Sequence, residues 1–226
     1  QWWLDAARAV DLRIVIASKY RAELAAYGMT RFVKPPVERR RFVPVEKAWD
    51  NTVGISGFTY GDGRKGEDLF ARLVVDMPDV NWRASGRGWA LPKVKGYPWE
   101  RMHEFYQGLD ILLCTSRIEG GPLPVVEAMA CGVRVVIPKG VGFCDDIANT
   151  PDVFRFESGN YESLKRALRQ ALGAGPVDKQ RQRSTVKDFS VEEWRLGGTR
   201  ASEDLLHNIE NKPPRRGERG VYVVAF

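Results

Sequence analysis

Leu109 to Pro138, L-D-I-L-L-C-T-S-R-I-E-G-G-P-L-P-V-V-E-A-M-A-C-G-V-R-V-V-I-P, reads as strand, loop, helix and strand in immediate succession. Two short apolar runs, 110–115 and 133–138, bracket a loop marked by Gly120, Gly121 and Pro122 and a helix beginning near Pro124. The same alternation continues on both sides. Further strands are expected at 52–58, 80–84 and 153–156. Between them, 65–77 places Leu69, Phe70, Leu73, Val74 and Met77 on one helical face, and 98–108 starts with Pro98 in the first turn, where proline is tolerated. Residues 160–172 repeat Leu164, Leu168 and Leu172. These stripes are core. Their order predicts an α/β fold with a Rossmann-like parallel sheet and helices on both faces.

Outside this unit, Leu12 to Ala17 reads as a strand and Lys19 to Tyr27 as a helix, followed by Pro35-Pro36 and the basic run Arg39-Arg40-Arg41. Beyond the unit, Ser190 and Glu193 form a capping box for a helix to about Ile209, with a kink expected at Gly197-Gly198. Lys212 to Gly220 reads as a basic linker, and Val221 to Phe226 as a strand that opens a further domain or pairs with 12–17. The expected division is therefore 1–44 as the remnant of another domain plus linker, 45–189 as the ligand-binding domain, 190–211 as the kinked helix, and 212–226 as linker and strand.

The 226 residues, 43% apolar, suffice for one ordinary domain with appendages. No apolar run approaches the roughly 20 residues of a bilayer span. The opening Gln1-Trp2-Trp3 lacks the features of a signal peptide and reads as a cut start. Cys114, Cys131 and Cys144 have neither an even count nor C-x-x-C spacing, which disfavours a disulfide framework and a zinc site and fits a reduced, cytoplasmic setting. A net charge of +6 permits phosphate-bearing partners without selecting among them.

In an open parallel sheet the ligand lies beyond the carboxyl ends of the strands, so the loops following each strand are the places to look. Thr59 to Gly66 ends in Arg64-Lys65-Gly66 where a helix begins, a cradle for diphosphate or simply a solvated basic turn. Ser85 to Gly88 lacks the full G-x-G-x-x-G pattern and reads as a turn. Lys95-Gly96-Tyr97-Pro98 could bring backbone groups, Gly96 included, to a base, or be a tight turn. The loop after 110–115 presents Ser116, Glu119 and then Glu127 from the following helix. A carboxylate accepts two hydrogen bonds side by side, matching a vicinal diol, although two isolated glutamates are also explained by a helix dipole and a solvated loop. His103 and His207 read as structural or solvated.

The string from Glu119 to Pro138 closely resembles the E-x7-E signature of the retaining glycosyltransferases of family 4, the group 1 family with the GT-B fold. I-V-I-A-S at 14–18, F-V-K-P-P-V-E at 32–38 with Arg41-Phe42-Val43-Pro44, and R-K-G at 64–66 follow the family's order. So do L-D-I-L-L-C-T-S at 109–116, P-K-G-V-G-F-C-D-D-I at 138–147 and D-F-S-V-E-E-W at 188–194, so the resemblance extends to about Leu206.

That resemblance implies the C-terminal, donor-binding domain of a GT-B enzyme, preceded by only the end of a truncated or vestigial N-terminal domain. It implies Glu127 on the ribose hydroxyls of a nucleotide-diphosphate sugar, Glu119 near the sugar, and Lys65 on the diphosphate. The loop Gly120, Gly121, Pro122 and Leu123, through its backbone amides, and the amides near Gly142 would meet sugar and phosphate. The family's arginine in a G-R pair is absent, since Gly57 is followed by Phe58, and Arg64 is its expected substitute. Transfer would proceed with retention, without metal or other cofactor, the leaving diphosphate being stabilised by cations and amides. The acceptor, a glycan, lipid, small molecule or protein, is left open, and its site would come from the missing N-terminal domain or an oligomer partner. Two alternatives stand beside this reading: a DNA acceptor, suggested by Arg39–Arg41 and Arg215–Arg219, and an inactive nucleotide-binding module.

Overall fold

The computed structural model describes residues 2–210 and 223–225. In chain order the elements are α1 (Trp2–Ala9), β1 (Leu12–Val15), α2 (Ser18–Ala25), β2 (Thr30–Phe32), β3 (Thr52–Phe58), α3 (Glu67–Asp76) and β4 (Asn81–Arg87). There follow α4 (Met102–Gln107), β5 (Ile111–Leu113), α5 (Leu123–Ala130), β6 (Arg134–Pro138), β7 (Val153–Phe156), α6 (Tyr161–Gly173), α7 (Lys179–Thr185), α8 (Val191–Glu210) and β8 (Val223–Ala225). They form two compact units, 37–188 and 1–36 with 189–226.

The unit 37–188 is built on a five-stranded, wholly parallel sheet in the order β4-β3-β5-β6-β7. Val53, Ile55, Ile111, Leu113 and Val136 on the strands pack with Leu69, Phe70 and Leu73 of α3 and Leu164, Leu168 and Ala171 of α6, all buried. Withdrawing each such side chain from water contributes on the order of 1.5–3 kcal/mol. Gly54 allows the strand to pass the side chain of Leu109, whose Cδ2 would lie 2.6 Å from an added Cβ. Helix α6 starts at Asn160, whose side chain accepts from the Ser163 amide at 2.9 Å and satisfies one of the open donors of the first turn.

Strands 52–58 and 153–156 lie where the sequence placed them, and the others differ by a few residues. One boundary carries more weight. Ser85 to Arg87, expected to form a turn with Gly88, continues β4 and pairs residue by residue with Ser56, Gly57 and Phe58. Gly86, at φ +106°, lets the two backbones approach where a Cβ would strike the Gly57 carbonyl. The residues expected in helix 98–108 divide into a short 3₁₀ turn, Trp99–Arg101, and α4.

In the other unit β1 lies between β2 and β8, all parallel. Leu12 and Ile14 pack with Ala201 and Leu205 of α8, and Val15 with Ala7 and Leu24, so β1 is covered on both faces. The pairing of Leu12 to Ile14 with 223–225 meets the expectation that the terminal strand joins 12–17. The basic linker 212–220 lies outside the described residues, and so do Val221, Tyr222 and Phe226. Ser190 Oγ accepts from the Glu193 amide at 3.1 Å, as the capping box requires. One helix runs unbroken from Val191 to Glu210, through the Gly197-Gly198 pair where the kink is expected. A Cβ at Gly197 would lie 2.8 Å from Val33 Cγ1, so this glycine serves close packing.

Candidate functional site

The carboxyl ends of β3 and β5 open into a cavity of about 220 Å³. Lys65, Ser116, Glu119, Gly121, Pro122 and Leu123 line it, with Ser56 and Gly57 on its strand side. Two loops build this mouth by locking together. Thr115 Oγ1 donates to the Lys65 carbonyl at 2.6 Å, and the Arg117 amide donates to the Arg64 carbonyl at 2.8 Å. Gly66, at φ +67°, stands so close to the Thr115 carbonyl that a Cβ there would collide with it. Arg117 then clamps the start of α3 through Asp68 at 2.6 and 2.7 Å.

Within this frame Lys65 and Glu119 form an ion pair, both largely buried, and Ser116 Oγ donates to Glu119 at 3.0 Å. Gly142, at φ +51°, comes close to the carbonyls of Glu119 and Gly120, at 3.2 and 3.0 Å from an added Cβ. Helix α5 begins at Leu123 without a side-chain cap, and Leu123, Pro124 and Val125 of its first turn line the cavity. A lysine, a glutamate and a helix start around one cleft suit a ligand that carries both phosphate charge and hydroxyl donors.

Glu127 sits deeper. It is half-buried and does not line the cavity; its Oε2 accepts from the Tyr106 phenol at 2.7 Å. Burial raises its carboxyl pKa above the ordinary glutamate value, and the Tyr106 hydrogen bond opposes that rise. The Tyr106 phenol is itself pushed well up by burial and by Glu127. A second cavity of about 170 Å³ adjoins the first at Ser56 and Gly57 and is lined by Phe58, Ser85, Gly86, Gly96, Tyr97 and Met102.

The structure therefore gathers Lys65, Ser116, Glu119, Gly120, Gly121, Pro122, Leu123 and Gly142 around one mouth and Gly96 around its neighbour. Arg64 is turned away: it is exposed, pairs with Asp62 at 2.6 Å and lies over the Tyr60 ring at 4.6 Å. At position 58 the aromatic ring is covered by the Arg87 guanidinium, 5.2 Å from its centroid, from the neighbouring strand in register. Sequence reasoning missed Tyr106, Ser56 and Arg87. The last of these is findable only once β3 and β4 are aligned.

A larger cavity of about 330 Å³ lies at the opposite, amino end of the sheet. Its most buried charge is already satisfied: Asp110 accepts from Lys47 Nζ at 2.9 Å and from the amides of Asp50 and Thr52 at 3.0 and 2.9 Å. Parallel sheets present their ligands at the other end, so the smaller cavity is the candidate. The basic run Arg39–Arg41 is partly engaged in packing. Arg39 exchanges hydrogen bonds with Arg183, and Arg41 pairs with Glu38 at 3.0 Å and stacks on Trp99 at 3.9 Å. Arg215–Arg219 lie outside the described residues. Among the described residues no cluster of three or more His, Cys, Asp or Glu is placed to hold a metal ion.

Residues 93–186, which include both glutamates and the Gly142 loop, match the family model of glycosyl transferases group 1. A probable transglycosylase of Burkholderia thailandensis is 25% identical over 166 residues, 65% of this chain and 45% of that protein. The chain thus spans less than half the length of this curated relative. Sucrose-phosphate synthase from Thermosynechococcus elongatus superposes with a TM-score of 0.73 at 17% identity, covering 87% of this chain and 59% of that one. HepE of Anabaena, solved with UDP and also with UDP-glucose, superposes in its UDP complex with a TM-score of 0.62 at 15% identity over 92% of this chain and 65% of its own. The chain has the α/β fold of GT-B glycosyltransferases, with its parallel sheet flanked by helices.

Proposed function

We propose that this chain carries the donor site of a glycosyltransferase, one that moves a sugar from a nucleotide-diphosphate sugar to an acceptor with retention of anomeric configuration. The observation that carries the reading is the cavity at the carboxyl end of the sheet, where Lys65 meets Glu119 and the start of α5, the latter two within residues 93–186 that match group 1 glycosyltransferases. The complexes of HepE with UDP and UDP-glucose support the choice of ligand class. In this reading the diphosphate takes the Lys65 ammonium and the amides of Gly120 and Gly121. The sugar hydroxyls meet Glu119, and the ribose diol meets Glu127. Bond breaking places negative charge on the leaving diphosphate, and a fixed cation and amides stabilise that charge without reorganising. No metal or other cofactor is invoked. The acceptor and its binding groups, supplied by another domain or subunit, are a glycan, lipid, small molecule or protein. The three free cysteines suit a reduced, cytoplasmic setting.

Calorimetric titration with UDP, GDP and ADP tests this directly. One of the three binds, and Glu127→Ala weakens that binding by about 1.5–3 kcal/mol, roughly 10- to 100-fold, through loss of a charge-assisted contact. Absence of binding by all three to the unmodified chain sinks the donor site.

A further inference from the structure

Tyr106 is a buried polar group that packing alone leaves unexplained. It has no exposed surface and sits between Phe42 and Phe105, with ring centroids at 5.9 and 5.5 Å. Phenylalanine would fill that space equally well. The added hydroxyl reaches Glu127 Oε2 at 2.7 Å. Through that bond the ring ties α4 to the carboxylate on α5.

The direction of this bond follows from chemistry. An ionised carboxylate only accepts, so the phenol donates to Glu127. We infer that Tyr106 is a positioning residue that holds Glu127 ionised and in one orientation, leaving Oε1 to receive a hydroxyl of the bound nucleotide. This inference rests on the donor reading of Glu127.

Without such a donor, burial favours the neutral acid, which gives up acceptor capacity toward the nucleotide hydroxyl. The other groups around Glu127 do not replace it. Just after α5, Cys131 is held as a thiol, its pKa pushed up to about 12 by burial and by Glu127. On α7, Arg183 directs its donors to the carbonyls of Ala130, Phe42 and Arg39. On β6, Arg134 is paired with Asp152, and before β5, Asp110 is paired with Lys47. The side-chain hydrogen bond that favours ionised Glu127 comes from Tyr106.

The test is nucleotide titration from about pH 4 to about pH 8, the span in which a carboxyl of raised pKa ionises, combined with an NMR titration of the Glu127 carboxyl itself. Affinity in the unmodified chain falls as pH drops through the folded pKa of Glu127, and Glu127→Gln abolishes that step. In Tyr106→Phe the fall begins at higher pH, so affinity on the acid side of the midpoint is lower than in the unmodified chain. Fluorotyrosine at position 106, which keeps the packing and makes the phenol a stronger donor, moves the midpoint to lower pH and serves alone if Tyr106→Phe fails to fold. A uniform loss of affinity with an unmoved midpoint means Tyr106 only fills space and overturns the inference. The NMR titration separates the two readings: if no nucleotide binds yet the Glu127 carboxyl titrates higher in Tyr106→Phe, the donor site fails and the hydrogen-bond effect on Glu127 survives. An unmoved Glu127 titration overturns the inference whatever binds.

Discussion

At the amino end of the five-stranded sheet, Arg134 on β6 and Asp152 before β7 meet at 2.7 Å with side chains only 2% exposed. Arg134 also donates to the carbonyls of Ala171 and Gly175, both at 2.7 Å, and Asp152 takes a second arginine, Arg181, at 2.6 Å. At the carboxyl end, Lys65 and Glu119 pair beside open space, and Glu127 has a phenol as its side-chain partner. One end uses charge to tie β6, β7 and α6 together; the other holds charge beside a cavity. The difference is satisfaction. Arg134 and Asp152 spend their hydrogen bonds within the protein and leave none for a ligand.

The largest effect should come from breaking the closed end. Asp152→Ala leaves the Arg134 guanidinium buried without its carboxylate, which costs about 3–5 kcal/mol. For a chain of this size that lowers the melting temperature by roughly 10 °C. Thermal denaturation checks it, and a loss below about 1 kcal/mol would mean that water reaches Arg134 and that the two ends differ less than their burial implies.

A smaller effect, felt by both stability and ligand, is expected where the two mouth loops touch. Gly66→Ala places a Cβ against the Thr115 carbonyl at a left-handed φ of +67°. The strain costs about 1–3 kcal/mol. Relief requires the Lys65 and Thr115 segments to part, carrying Lys65 away from the diphosphate. Denaturant unfolding and nucleotide titration should therefore decline together. A variant that loses stability but retains full affinity would show that Lys65 does not depend on this contact.

How much of this was legible in the chain follows from what each element uses to hold itself. The strands and α3 and α6 bury periodic apolar residues, and that periodicity is written in the sequence. Helix α7 escaped notice because K-Q-R-Q-R-S-T contains no apolar residue. It docks instead through polar side chains, with Gln182 Nε2 donating to the Val133 carbonyl at 2.9 Å and Arg183 donating to Ala130 at 2.8 Å. Ser85 to Arg87 looked like a turn because glycines usually mark one, whereas here Gly86 serves a close strand approach. In the site, Glu119, Lys65 and the glycine loop could be read from spacing and resemblance. Tyr106 could not, because its neighbour Phe105 has the same apolar appearance and only the fold brings its hydroxyl to Glu127.

The smallest expected effect concerns Arg64, the residue that the sequence offered in place of an arginine at position 58. Its guanidinium is about half exposed, pairs with an equally exposed Asp62 and stacks on Tyr60. Exposed pairs of this kind contribute little because water solvates both partners when they separate. Arg64→Ala should therefore leave the unfolding midpoint nearly unchanged. It should also leave nucleoside-diphosphate affinity within about twofold, since a guanidinium held outside the cavity makes no charge-assisted contact to lose. A tenfold or greater loss, present for diphosphates and absent for the nucleosides, would mean that Arg64 leaves Asp62 and swings onto the phosphates. In that case the open end of the sheet also recruits charge from its rim, and the contrast between the two ends is sharper than side-chain pairing alone makes it.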